Sequence, residues 1–95
     1  MIRNVVLAKL KPGVSREQLD EMIETLRAMK TPGMISITAG RDLGLRDGNW
    51  DIAVITDLQD EASYRVYDAD PEHNRIRREV IAPLVERIER CQYEA

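Results

Sequence analysis

Cysteine, histidine and long apolar runs are all scarce in this chain of 95 residues. The single cysteine, Cys91, excludes a disulfide framework within the chain. One histidine beside one cysteine is too poor a set for a zinc cage, and no other metal site is expected. No strictly apolar run exceeds four residues, as in Val5-Val6-Leu7-Ala8, which is far short of a membrane span. The N-terminus carries Arg3 and lacks the apolar segment of a signal peptide, so none is expected. An excess of positive charge is missing too, since the formal net charge is −3. That argues against nucleic acid as the main partner, because phosphate binding needs concentrated Lys and Arg.

What is present suits a folded unit. Hydrophobic residues make up 43% and charged residues 33%, so a single domain over residues 1–95 is expected, soluble and cytoplasmic. Ile2 to Leu10 reads as a strand with two substantially apolar faces, so something must cover each side. Ser15 and Gln18 form a capping box, and Val14 and Leu19 take the positions of a hydrophobic staple. Leu19, Met22, Ile23, Leu26 and Met29 recur at helical spacing. Met34 to Arg41 reads as a second strand, with Ile35, Ile37 and Ala39 on one face. Trp50 to Leu58 reads as a third, with Trp50, Ile52, Val54, Thr56 and Leu58 sharing a face. Asp60 caps a short helix through about Tyr67. Asp70-Pro71 restarts one, and Pro83 should end or kink it. The β-branched residues after Val85 favour a last strand through Tyr93.

The order is βαββαβ, so the fold class expected is α+β, ferredoxin-like, with a four-stranded antiparallel sheet. Helices cover one face of such a sheet. The other face, with Val5 and Leu7, is left open, and the economical cover is a second copy. A homodimer through the open sheet face is therefore expected.

Three segments carry a family likeness. The opening Met1-Ile2-Arg3-Asn4-Val5-Val6-Leu7-Ala8-Lys9-Leu10-Lys11-Pro12-Gly13-Val14 is one. Gly40-Arg41-Asp42 and Tyr67-Asp68-Ala69-Asp70-Pro71-Glu72-His73 are the others. In this order and spacing the sequence resembles the stress-responsive A/B barrel (Dabb) family. The resemblance implies a ferredoxin-like domain that dimerises into an α/β barrel. One plant branch of that family is a polyketide cyclase whose catalytic pair is a tyrosine and a histidine six residues later. Tyr67 and His73 match that spacing. By the same match Asn4, Val6, Ala8, Ile52 and Val54 would line a ligand pocket between sheet and helices, with Trp50 near its rim. The chain also departs from its relatives, with Asn4 where many members carry a histidine and Ile52 where the cyclase branch has another.

Each candidate has two readings. His73 could act as general base, because imidazole titrates near neutral pH, or could simply pack at a helix N-terminus. Tyr67 could donate its phenol to a ligand oxygen, or cover the sheet edge. Trp50 could stack on a ligand, or anchor packing. Arg75, Arg77 and Arg78 could hold an anion, or form a solvated helix face paired with Glu72 and Glu79. Cys91 reads as half-buried and unreactive. No cofactor motif is visible. The leading expectation is a dimer binding a small apolar or aromatic molecule. The alternative is a cofactor-free enzyme, cyclase-like lyase or monooxygenase, using Tyr67 and His73.

Overall fold

The computed structural model describes residues 1–95. The chain runs β1 (Ile2–Leu10), α1 (Arg16–Arg27), β2 (Met34–Arg41), β3 (Ile52–Leu58), α2 (Glu61–Ala69), α3 (Pro71–Ile76) and β4 (Val85–Glu94). The sheet order is β2-β3-β1-β4 and every pairing is antiparallel. This is the ferredoxin-like α+β arrangement expected from the element order.

Local chemistry sets the helix starts. The Ser15 hydroxyl accepts from Gln18 N–H at 3.1 Å, and the Gln18 amide oxygen accepts from Ser15 N–H at 2.9 Å. Leu19, Met22, Ile23 and Leu26 then face the sheet and are buried. Each such side chain contributes roughly 1.5–3 kcal/mol when fully buried. Asp60 caps α2 through Ser63 N–H at 2.8 Å. The apolar layer between helices and sheet closes on Ala8, Ala39, Ile52, Leu58, Tyr67, Ile76 and Val85.

Three details differ from the sequence reading. Ile35 does not share a face with Ile37 and Ala39. A bulge between Met34 and Ser36 makes Ile35 the extra residue, and it is 53% exposed. Strand β3 begins at Ile52, not Trp50. Asp51 ends the ladder there, because its N–H bonds Ala8 O at 3.0 Å while its carboxylate takes Leu10 N–H at 2.8 Å. The helix ends at Ala82, just before Pro83 as expected, but its last turn is not regular α-helix. It widens over Arg77–Ile81 into an i→i+5 turn, closed by Ala82 N–H on Arg77 O at 2.9 Å.

The second sheet face carries no helix. Val5, Leu7, Ala53 and Ile55 lie there half-buried, paired as Val5 with Ile55 and Leu7 with Ala53. At one end Arg3 forms a two-pronged pair with Asp57, at 2.8 and 3.0 Å. The guanidinium holds the Asp57 carboxyl below the usual carboxylate range. Cys91 belongs to edge strand β4 and is exposed, not half-buried.

Candidate functional site

The site is built around the short break between α2 and α3. Asp70 N–H closes α2 on the Tyr67 carbonyl at 3.3 Å, and the Asp70 carboxylate caps α3 through His73 N–H at 2.9 Å. His73 Nδ1 also lies 2.9 Å from the Tyr67 carbonyl oxygen. A carbonyl only accepts, so Nδ1 carries the proton and donates. The Tyr67 carbonyl at the end of α2 thus accepts twice, from Asp70 N–H and from the side chain six residues on. The two rings stack at 4.1 Å between centroids, tilted by 36°.

That bond fixes the tautomer. With the proton on Nδ1, neutral His73 presents Nε2 as a bare lone pair. Nε2 has no protein hydrogen-bond partner and His73 lines the cavity. Burial pulls the imidazole below its usual range, against the opposing pull of the Tyr67 carbonyl. The Tyr67 phenol is pushed up, again chiefly by burial, and so stays protonated at neutral pH. Its hydroxyl lies 3.5 Å from Thr56 Oγ1, a contact at the limit of a hydrogen bond.

Asn4, Val6 and Ala8 of β1, Ile52 and Val54 of β3, Tyr67 and His73 all line one cavity of about 420 Å³. That volume falls in the range that small-molecule pockets occupy. Asn4 accepts from Gln92 Nε2 at 3.0 Å, which leaves its own amide N–H groups for the cavity. Trp50 is not part of this lining. Asp51 turns the chain before β3, and the indole lies on the helix-free side, with Lys9 Nζ 6.0 Å and the Arg87 guanidinium 5.3 Å from its ring. Nor do Arg75, Arg77 and Arg78 form one face. Arg75 pairs with Glu72 and Glu79 outside, whereas Arg77 lines the cavity, bonded to Asp68 and Asn74.

Sequence reasoning missed Met22, Leu26, Ile81, Ala82 and Val85, and on β4 also Glu86, Arg87, Ile88 and Arg90, which complete the cavity. Strand alternation was the signal for the last two. Ile88 pairs with Ala8 and Arg90 with Val6, so both share the cavity face.

A model of the stress responsive A/B barrel domain matches residues 2–95. The chain belongs to that family. Among solved structures, the stress-responsive A/B barrel chain is similar to a dimeric ferredoxin-like protein of unknown function from Thermobifida fusca YX. The two are 31% identical with a TM-score of 0.88, over 99% of this chain and 90% of that one. A family member from Mesorhizobium loti is 20% identical at TM-score 0.79, over 99% and 95%. The hydroxynitrile lyase of Passiflora edulis is 22% identical at TM-score 0.83, over 97% and 90%. These last two likenesses concern the fold alone. Curated proteins give no match.

The depressed His73 makes a pH prediction for this barrel protein. The folded chain keeps His73 neutral where the unfolded chain already binds a proton, so ΔG of unfolding falls with falling pH. The contribution is complete above the unfolded value of about 6.5 and is lost below it, down to the depressed folded value. Urea midpoints at pH 7.5 and 5.5 should therefore fall further for the wild type than for His73→Gln. Equal falls in both proteins would remove burial of a neutral imidazole from the account.

Proposed function

We propose that the protein is a homodimer, sheet face against sheet face, and that each subunit binds a small apolar or aromatic molecule between sheet and helices. The observation that carries this reading is the cavity itself. Its floor of Ala8, Ile52, Met22 and Leu26 is apolar, while His73 Nε2 and the Asn4 amide point polar groups at whatever enters. The half-buried row of Val5, Leu7, Ala53 and Ile55 supports the dimer, as does the dimeric relative from Thermobifida fusca.

A second reading, a cofactor-free lyase or related enzyme, is favoured by one specific feature. His73 is held neutral with Nε2 free, and a protonated Tyr67 phenol stacks beside it. Nε2 would take the proton from a carbon next to a carbonyl, or from a hydroxyl. The Tyr67 hydroxyl would donate to the oxygen on which negative charge develops. The likeness to the Passiflora hydroxynitrile lyase agrees with proton-transfer chemistry on this scaffold but is a likeness of fold.

Native mass spectrometry of protein purified gently from its own cells tests both readings. A dimer carrying extra mass is expected, and that mass identifies the ligand. A monomer would sink the dimer, and a bare dimer from several preparations would count against stable binding. If a reaction of the ligand is found, His73→Ala should slow it by about 10²–10⁴. Tyr67→Phe should lower kcat while leaving ligand binding in place. Full turnover in His73→Ala would end the enzymatic reading.

A further inference from the structure

We infer that the molecule bound in this cavity is an anion, an apolar body with a carboxylate seated at the mouth against Arg90. The inference rests on the small-molecule reading above and names the class of ligand.

The charges of the lining are uneven. Three arginines, Arg77, Arg87 and Arg90, face one acid, Glu86, in a chain of net charge −3. Two of the arginines are already engaged. Arg77 is held by Asp68 at 2.8 Å and by Asn74 at 2.9 Å. Arg87 pairs with Glu89 at 3.1 Å and lies over Trp50 on the far face. Arg90 has neither an ion pair nor a side-chain hydrogen bond, although its neighbours on β4 find partners. Glu86 does not neutralise it, since four residues of strand separate them by roughly 13 Å.

Position adds to this. Arg90 pairs with Val6 across the sheet, between Ile88 beside Ala8 and Gln92 beside Asn4. The buried floor is apolar, whereas the β4 side is open to water, with Ile88 40% exposed. A ligand whose apolar body lies against Ala8, Ile52, Met22 and Leu26 has the solvent-facing β4 side open to its charged end. There the free guanidinium offers a planar fork suited to a carboxylate. The Tyr67 phenol feels the positive charges of Arg77 and Arg90. A charge whose only task was to guard an edge strand would serve as well on the outer side of β4.

Matched probes separate the alternatives. 4-Phenylbutyrate and its neutral amide share a body and differ only in charge. Calorimetry with the whole protein should show the acid binding at least about tenfold more tightly than the amide. In Arg90→Gln the gap should close through loss of acid binding, with amide affinity unchanged. Arg90→Lys should retain part of it. Acid and amide binding equally to the wild type would overturn the carboxylate inference and leave the cavity reading standing. A gap that persists in Arg90→Gln would overturn the role of Arg90. If neither probe binds at millimolar concentration and the methyl resonances of Val6 and Ile88 do not move, the cavity reading and this inference fall together.

Discussion

Leu58→Ala is expected to lower folding stability by about 2–5 kcal/mol. Leu58 is the side chain with no exposed surface at the end of β3, paired with Ile2 on one side and Met34 on the other. Strands on both sides and the helical layer above fix its surroundings, so the vacated space cannot collapse easily. Total stability for a domain of this size is about 5–15 kcal/mol, so the loss is a large share of it. Urea unfolding at one fixed protein concentration measures it, because stability linked to dimerisation depends on concentration. Ile35→Ala is the matched control. The bulge leaves that side chain 53% exposed, and the change should stay within about 0.5 kcal/mol. A Leu58→Ala loss no larger than the control would mean that the sheet–helix layer is not the core.

Ile55→Lys should convert the dimer into a monomer. Ile55 sits opposite Val5 in the middle of the helix-free face. In one subunit it is only half-buried, so a lysine there can reach water and the subunit should keep its circular dichroism spectrum. Between two packed sheets the same ammonium has no carboxylate beside it, since Asp57 is already held by Arg3. Burying an unpaired charge costs far more than an interface of this kind recovers. Light scattering at micromolar concentration should report half the wild-type mass. A dimer that survives would place the interface elsewhere.

Much of this architecture could be read from particular residues. The Ser15–Gln18 box and the Asp70-Pro71 start are local signals, and both close their hydrogen bonds as the spacing implies. Alternation grouped Ile52 with Val54 within β3, and the family resemblance implied that Asn4, Val6, Ala8, Ile52 and Val54 line a pocket, where the cavity forms. The failures have a common origin in contacts remote in sequence. Ile35 alternates correctly with Ile37, and only pairing with β3 reveals the extra residue. Trp50 continues the β3 pattern, and only the Asp51 carboxylate on Leu10 N–H shows that the chain has left the ladder. Arg90 is ordinary in a charged tail and acquires meaning only when β4 is laid beside β1. The wide turn at Arg77–Ile81 has no composition signal, because any helix-forming residues can adopt it.

The break at Asp70 makes the Tyr67–His73 pair a self-contained cassette. One aspartate closes the helix that bears the tyrosine and opens the helix that bears the histidine, and the tyrosine's own carbonyl orients the imidazole. All of these bonds lie within seven consecutive residues and none comes from the sheet. Apart from the long Tyr67–Thr56 contact, the pair's orientation is thus set by its own segment. Val6, Val54 or Ile88 can be exchanged for larger or smaller side chains, and the pocket resized for a different guest, with the bonds that orient the two groups left intact, while their titration follows the burial that the walls provide.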